Sequence, residues 1–397
     1  MKMTPLTRTL LLLAAAAVLL LPFLAAAEPA TKEIRKEWPA RAGLVVQLEN
    51  LAGKVTLEGT AGGAVELIAT LHAENASDLD LLSIEASGSG DRIEVAALYP
   101  VDKYDVFRYR DGDDSMVFGM SSTSTTYRGH RVKVVSGALS RGVALWVDFR
   151  LRLPSGTGAD VRNEVGKIAA TNVNGPLKAK TGSGSVKIDA GDGSTSAKSG
   201  SGDVLVAHRK GAVEASTGSG SVLLAEIAGD AAVSTGSGDD ELDGVSGSVK
   251  AHTGSGSVLL KRVEGASVRA NTGSGSVDLR YVKGAVEAGT GSGNIHGDAV
   301  TLSGTLVLDT GSGDIRLAGD FAGVTRASVG TSSGDVSFRM EKAPGMSLSC
   351  RTSSGDIDVD VAGTKVKTER KLEVAVAGGG APVKVRTSSG NIRIEGR

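Results

Sequence analysis

The sequence predicts an all-β fold, a parallel β-solenoid (β-helix) of roughly 18–21-residue coils with an irregular β-rich N-terminal region. Three observations support this prediction. A Thr-Gly-Ser-Gly phrase recurs at short, nearly constant spacing; an apolar–variable–apolar triplet follows it; and the 397 residues include 55 glycines but only 9 prolines. The phrase opens at Thr181, Ser199, Thr217, Thr235, Thr253, Thr272, Thr290, Thr310, Thr331, Thr352 and Thr387.

The first 27 residues are typical of a secretory signal. Lys2 and Arg8 precede an apolar run over 10–24, and Ala25-Ala26-Ala27 offers a small-residue cleavage site. An uncleaved anchor is the alternative, but the run is shorter than the ~20 residues that span a bilayer. We therefore expect an exported protein with no integral membrane segment after cleavage. Whether it is periplasmic, at the cell surface or secreted stays open.

Residues 28–154 form the predicted β-rich N-terminal region. Asn50-Leu51-Ala52-Gly53 resembles the repeated phrase, so this region is interpreted as an irregular beginning of the same solenoid. An insertion near 99–141 is rich in aromatic residues and includes an unbroken Ser/Thr tract. We expect it to pack on the body or to engage a partner. The aromatic residues assigned to this possible interaction surface are Tyr104, Phe107, Tyr109, Phe118 and Tyr127.

Residues 155–397 form the predicted solenoid. In a triplet such as Val222-Leu223-Leu224 the flanking side chains point to one side of the strand and the middle one to the other. A coil this short cannot bury its apolar residues alone, so coils stack and pair their backbones. We expect the corner glycines to supply positive φ, and the lone Cys350 to be a buried structural thiol.

Three features break the repeat. Asp240 occupies an inward position within Asp239-Asp240-Glu241, which favours a local register slip over a buried carboxylate. Residues 364–380 form a charged excursion before the last coil, whose edge Arg393 and Glu395 would shield. Leu205, Leu223 and Leu259 lie at outward positions and form an apolar stripe, which either the segment 99–127 covers or a partner contacts.

The export signal, the Asn50 unit and the serial Thr/Ser-Gly-Ser-Gly coils together resemble the DUF4097 family of bacterial envelope β-strand repeat proteins, a family described as adhesins. The resemblance covers most of residues 42–397, and 147–180 is similar to the family's entry into its repeats. It implies a β-solenoid at the cell envelope. It brings no catalytic residues.

Composition and spacing narrow the function. With 44 basic and 45 acidic residues the net charge is −1, which gives no basis for nucleic-acid binding. The corner carboxylates are too irregular for a calcium-binding repeat, the five histidines share no repeat position, and no cofactor site or catalytic cluster is evident. We predict a non-catalytic envelope protein whose surface serves adhesion or protein interaction, with an unknown envelope protein or glycan as partner. A carbohydrate-active β-helix enzyme and a periplasmic scaffold or stress-response component are the alternatives.

Overall fold

The computed structural model describes residues 29–110, 122–136 and 141–396, so the predicted signal and Phe118 lie outside the described residues. One 3-10 helix, Ala76–Leu81, interrupts a chain of strands. The N-terminal strands are β1 Ala30–Pro39, β2 Val45–Ala52, β3 Val55–Thr60, β4 Ala64–Ala73, β5 Ser83–Ser89, β6 Arg92–Leu98, β7 Val106–Tyr109, β8 Ser122–Tyr127, β9 His130–Ser136 and β10 Val143–Pro154.

The remaining strands build the regular stack and its C-terminal end. The regular strands are β11 Gly158–Val165, β12 Ile168–Thr171, β13 Leu177–Ser183, β14 Val186–Asp192, β15 Thr195–Ser199, β16 Val204–Lys210, β17 Val213–Thr217, β18 Val222–Ala228, β19 Ala231–Thr235, β20 Asp240–Ser246, β21 Val249–Thr253, β22 Val258–Thr272, β23 Val277–Thr290 and β24 Ile295–Thr310. The final strands are β25 Ile315–Thr331, β26 Val336–Lys342, β27 Met346–Val361, β28 Thr364–Val376, β29 Ala381–Arg386 and β30 Ile392–Gly396.

The regular strands stack into two parallel sheets, which confirms the predicted solenoid. In the first sheet, β14, β16, β18 and β20 pair in register, so that Val204 lies beside Val222. In the second, β13, β15, β17, β19 and β21 do the same. From β22 to β25 one long strand in each coil serves both sheets.

A narrow core runs between the two sheets. The first sheet contributes Val, Ile and Leu at the flanking positions of each triplet, such as Val222 and Leu224, and the second contributes smaller residues, such as Val213 and Ala215. Because every coil repeats this arrangement, burial continues from one coil to the next without a break.

The residue that opens each corner phrase faces inward and joins adjacent coils. Thr217 Oγ1 donates to the Gly202 carbonyl of the preceding coil at 2.7 Å and accepts from the N–H of Gly220 in its own coil at 3.3 Å. The same donation recurs along the stack. We call this series of buried side chains the threonine column.

The second glycine of each phrase is required for close stacking. A Cβ on Gly238 would lie 2.0 Å from the carbonyl oxygen of Gly220, and one on Gly220 would lie 2.4 Å from that of Gly202. Neither residue has the positive φ that the sequence had suggested. The prediction of positive φ was wrong for these two glycines. Glycine is required there because contact with the preceding coil leaves no space for a side chain.

Positive φ occurs elsewhere in the coil. It is found at glycines before the second sheet, such as Gly211 and Gly229, and at one position that forms an external ridge. His208, Glu226, Arg262 and Tyr281 have φ between 50° and 55°, and Gly244 holds the same position with φ 74°. Their side chains point outward at the corner that follows the first sheet, next to inward residues such as Ile227 and Val245. The ridge therefore presents one variable side chain per coil.

At the N-terminal end the stack continues across the predicted boundary between 154 and 155. β2 lies between β11 and β6, and β3 lies between β12 and β10, all parallel. Asn50 donates to Asn163 Oδ1 at 3.1 Å and so extends the threonine column. Antiparallel strands then close this end: β5 on β6, and β4 between β10 and β1.

At the C-terminal end the order of coils in space departs from the order in sequence. β29 lies between β25 and β27, and β30 lies between β26 and β27. β28 pairs antiparallel with β27 and covers its outer edge. Strand β30, which carries Arg393 and Glu395, therefore lies between two other strands and not at the edge of the stack, so the expectation that these residues shield its last edge was wrong. The charged strand β28 occupies that edge.

Candidate interaction surfaces

The leucine stripe lies on the outer face of the first sheet. Leu205 pairs with Leu223, and Leu259 follows after Glu241, all half-buried. Lys261 Nζ lies 2.7 Å from the Glu241 carboxylate, so the charge that interrupts the stripe is paired. The described part of the segment 99–141 packs elsewhere: β7 pairs with β10 and β9, and Thr125 on β8 reaches Glu164.

The aromatic segment contributes to the core. Phe107, Tyr109 and Tyr127 are buried, and the rings of Phe107 and Tyr127 lie edge-on to Tyr99 at 5.5 and 5.8 Å. The assignment of these three to an interaction surface is wrong, because burial leaves them no face for a partner. Tyr104 is partly buried against the same core, while Phe118 lies outside the described residues.

Tyr99 explains why aromatic residues gather at this end. Its hydroxyl donates to Ala52 O at 2.8 Å and lies 3.1 Å from Asn50 Oδ1. The hydroxyl thus lies at the N-terminal end of the threonine column, beyond Thr181, Asn163 and Asn50. Burial raises the pKa of Tyr99 well above its ordinary value, so the group stays a neutral donor. The aromatic cluster therefore closes the core where the threonine column ends.

A groove beside the external ridge is the surface that sequence reasoning missed. Tyr281 is 62% exposed, and among the described residues it is the only large hydrophobic residue that is exposed. The groove has a volume of about 660 Å³ and is lined by Glu226, Ser246, Arg262 and Lys283 among others. The signal in the sequence was an aromatic residue at a position that holds His, Glu, Gly and Arg in preceding coils.

Ion pairs fix the walls of this groove. Arg262 contacts Asp243 Oδ1 at 2.7 Å and reaches across one coil to Glu226 Oε1 at 2.8 Å. Gly244 makes this reach possible, because a Cβ there would lie 2.8 Å from Glu226 Oε1. The hydrogen bonds to Asp243 and then Glu226 raise the pKa of Arg262, so the cation is permanent. Each carboxylate is thereby committed to an ion pair.

The stripe and the groove belong to one surface. Leu259 and Arg262 are three residues apart on β22, and Tyr281 lies in the next coil. Lys261 and Arg280 pair across these coils in register, so the outer face of the sheet leads directly onto the ridge. We call Leu205, Leu223, Leu259 and Tyr281 with their ion-paired neighbours the leucine–tyrosine surface.

Asp240 is a buried carboxylate in full register, so the predicted register slip is wrong. It pairs with Val222 on one side and Val258 on the other and is 0% exposed. Thr235 donates to its Oδ1, whereas Oδ2 has no hydrogen-bond partner in the described part of the chain. Desolvation raises the pKa of Asp240 to about 6. Backbone pairing on both sides holds the register against this cost.

Arg209 is a second buried charge, and nothing in the sequence pattern singled it out. It occupies the inward position that Ile227 and Val245 hold in later coils. Its guanidinium donates to Thr195 Oγ1 at 3.0 Å and to carbonyl oxygens at a corner of the preceding coils, including those of Asp192 and Gly193. Burial lowers its pKa. These bonds satisfy the cation internally, which makes it a structural group.

The corner carboxylates cap the next coil. Asp314 Oδ1 accepts from the backbone N–H of Asp335 at 2.9 Å, and Asp335 Oδ1 accepts from that of Asn391 at 2.7 Å. His72 is partly buried and stacks on Trp146 at 4.8 Å. Over the described ranges, no three His, Cys, Asp or Glu residues converge as metal ligands would. Cys350 is buried, which raises its pKa to about 12.

Comparison with known families agrees with this geometry. The profile of the family Toastrack DUF4097 matches residues 207–329 and 318–395. Residues 207–395 carry the Toastrack DUF4097 repeat. The resemblance noted from the corner phrases is thus confirmed over residues 207–395, which include Leu223, Leu259 and Tyr281. No curated protein matches the sequence, and no helix within the described residues is long and apolar enough to cross a membrane.

Solved structures similar to this chain share little sequence with it. A "putative adhesin" from Bacteroides fragilis NCTC 9343 is 9% identical, with 92% of this chain and 98% of that chain covered and a TM-score of 0.26. A "putative lipid binding protein" from Parabacteroides distasonis ATCC 8503 is 10% identical, with 93% and 97% covered and a TM-score of 0.28.

Proposed function

We propose that this DUF4097 protein is exported and acts without catalysis, by binding an envelope protein through its leucine–tyrosine surface. The observation that carries the proposal is Tyr281, whose ring is 62% exposed beside a groove with ion-paired walls. The ridge holds this ring outward next to the apolar stripe, and a contiguous exposed apolar patch with a polar rim is typical of a contact site for another molecule.

The composition of the surface favours a protein partner. Tyr and Arg carry much of the energy of protein interfaces, and apolar residues surrounded by a polar rim are typical of them. Tyr281 and Arg262 lie together here, and half-buried Leu205, Leu223 and Leu259 extend the apolar area along the neighbouring sheet. A rigid stack of coils also loses little conformational freedom on binding.

The state of the acidic groups favours binding over hydrolysis. A glycosidase needs one carboxyl as acid and another as base or nucleophile, free to face the substrate. Glu226 and Glu264, the carboxylates that line the groove with Tyr281, are both ion-paired, with Arg262 and Lys283 respectively. Asp240, whose pKa is raised to about 6, is enclosed in the core. Incubation with envelope glycans that yields cleaved products would contradict the proposal.

Binding to isolated envelope fragments tests the proposed surface. Fluorescently labelled Tyr281→Ser protein should reach half-saturation at a concentration about tenfold higher than the parent, the effect of losing about 1.4 kcal/mol. Ala299→Ser is the matched control, since Ala299 occupies the same ridge position one coil further along. Protease treatment of the fragments should abolish the binding.

Two results would contradict this reading. Equal binding of the Tyr281 and Ala299 variants would remove the surface from consideration. Binding that survives protease treatment but not glycan removal would exclude a protein partner. Export is tested separately, by sequencing the N-terminus of the mature chain: we expect it at Glu28, after Ala25-Ala26-Ala27.

A further inference from the structure

The last corner phrases differ from those in the middle of the chain by an added arginine. Arg351-Thr352-Ser353-Ser354-Gly355 and Arg386-Thr387-Ser388-Ser389-Gly390 share a five-residue pattern that the regular coils lack. The two copies are 35 residues apart in sequence. They become neighbours because β29 returns to lie beside β27, where Arg351 and Arg386 pair directly.

Strand pairing then sets three cations in a row. Arg386 pairs with Arg351, and Arg351 pairs with Lys371 on β28, so neighbouring Cα atoms are separated by one strand spacing, ~4.8 Å. All three side chains are exposed, and they project on the outer face because the next inward residues, Cys350 and Val385, are buried. Arg370 completes the group from a bulge in β28, where its φ is 66°.

These cations outnumber their carboxylate partners. Glu373 lies 3.7 Å from Arg351 and 3.0 Å from Lys371 and serves both. No carboxylate within the described ranges pairs with Arg370 or Arg386. Like charges directly opposite on adjacent strands destabilise a sheet. A chain whose net charge is only −1 has concentrated four cations here against one carboxylate.

Hydroxyl donors complete a shallow pocket at the same place. It has a volume of about 460 Å³ and is lined by Ser353 and Ser388 as well as by the four cations. The backbone N–H groups of Ser353 and Ser388 are used between coils, with Ser388 O and Ser332 O as acceptors. Neither serine hydroxyl has a hydrogen-bond partner in the part of the chain that the structure describes. Both hydroxyls are therefore free to donate to a ligand.

We propose that Arg351, Arg370, Lys371 and Arg386, with Ser353 and Ser388, form a binding site for a phosphate group. Paired guanidinium groups present parallel N–H donors that match two oxygens of a phosphate, and hydroxyls supply further donors to the third. Phosphate also carries negative charge that offsets part of the excess of cations. The phosphate is either that of a soluble ester or that of a lipid headgroup, since both present the same oxygens.

The site is independent of the proposed function. It lies on the outer face of the second sheet near its C-terminal edge, formed by β27, β28 and β29, whereas the leucine–tyrosine surface lies on the first sheet and the ridge over β16 to β23. Loss of envelope-protein binding in the Tyr281 variant and loss of phosphate binding here are therefore separate results.

Titration of the mature chain tests the site, with arginine side-chain N–H signals followed by NMR. Inorganic phosphate should shift the signals of Arg351 and Arg386, and Arg386→Gln should weaken the affinity about tenfold, the effect of losing a bidentate charged contact. Arg386→Lys keeps the charge and should still weaken it, since a lysine cannot make the paired contact. Arg393→Gln is the control, because Arg393 is exposed but pairs with Glu395 at 2.6 Å on the first sheet.

A vesicle arm separates the two sources of phosphate. Co-sedimentation with phosphatidylglycerol vesicles but not with phosphatidylcholine vesicles, lost in Arg386→Gln, would assign a lipid headgroup. Binding of inorganic phosphate without vesicle binding would assign a soluble ester. The proposal is overturned if neither probe binds, or if Arg386→Gln and Arg393→Gln affect binding equally. An unchanged melting temperature in both variants confirms that the fold is retained.

Discussion

The middle of the solenoid and its C-terminal end use the same corner device for different purposes. Between β13 and β24 each coil follows its predecessor in sequence and in space, and the phrase is Thr/Ser-Gly-Ser-Gly. At the end, β29 and β30 insert between β27 and the strands that precede it, β25 and β26, and the phrase becomes Arg-Thr-Ser-Ser-Gly. Regular repetition produces a uniform scaffold, whereas the return of the chain brings distant residues together.

What both regions retain identifies the structural residues. The opening Thr and the second Gly persist at the end: Thr387 donates to Gly334 O at 2.9 Å, and a Cβ on Gly390 would lie 2.1 Å from the same oxygen. The first Gly of the phrase is replaced by Ser388. The threonine column and the glycine contact therefore belong to the fold, and the positions around them are available for function.

The largest expected effect tests the glycine contact in both regions. Gly238→Ala should lower the free energy of unfolding by about 3 kcal/mol or more, because its Cβ would meet Gly220 O at 2.0 Å and the stack cannot yield locally. Gly390→Ala should cost as much. Gly63→Ala is the control, since nothing lies within 4 Å of its Cβ. Chemical denaturation measures all three, and a small effect at Gly390 alone would mean that the end is packed more loosely than the middle.

The next effect is pH-dependent and concerns the one carboxylate in the core of the middle region. A folded pKa of about 6 for Asp240 against 3.8 unfolded corresponds to about 3 kcal/mol. Because the folded pKa is raised, the protein gains stability as pH falls from above 6 to below 3.8. Asp240→Val should therefore stabilise the protein by up to about 3 kcal/mol at pH 8 and by little at pH 3.5.

Asp203→Ala is the control for this titration, since Asp203 is exposed and its carboxylate accepts from Ser221 N–H at 2.9 Å. It should not flatten the pH dependence of unfolding. A parent protein whose stability does not change between pH 4 and 7 would show that Asp240 is not the buried anion described here.

The smallest effect sharpens the role of the threonine column. Thr217→Val keeps the shape but removes the bonds to Gly202 O and Gly220 N–H, so it should cost about 1–2 kcal/mol. Thr217→Ser should cost less, because Ser199 already fills this role one coil earlier. Thr235→Val should differ from both, since its hydroxyl donates to Asp240. Equal losses of unfolding free energy in Thr217→Val and Thr235→Val would contradict the bonding described for the threonine column.

The middle of the solenoid and its C-terminal end also differ in how much of their structure the sequence predicts. The coil and its inward residues were predictable because the spacing from Thr181 to Thr290 records the stack directly. The prediction of a register slip at Asp240 was wrong because it considered only the cost of desolvating the carboxylate. Backbone pairing with the strands of Val222 and Val258 holds Asp240 in register. The order of coils at the end was not predictable, since Thr352 and Thr387 open nearly identical phrases.

The candidate sites were predicted less well than the fold. An aromatic residue reads the same in sequence whether it is buried, as Phe107 is, or exposed, as Tyr281 is. Only the ridge, with its positive φ, separates the two. The signal for the phosphate site, an arginine before each of two late phrases, was present, but its meaning depends on the pairing of β27 with β29.

Disulfide trapping tests most directly the central claim, that the last segment of the chain inserts between two earlier coils. Ser328 pairs with Lys384, and Lys384 pairs with Ser349, so Ser328 and Ser349 are two strand spacings apart, ~9.6 Å. In a Cys350→Ala background, mild oxidation should cross-link Ser328→Cys with Lys384→Cys. It should leave Ser328→Cys and Ser349→Cys reduced, beyond the reach of a disulfide. Efficient cross-linking of 328 to 349 and none of 328 to 384 would place the coils in sequence order and contradict the account.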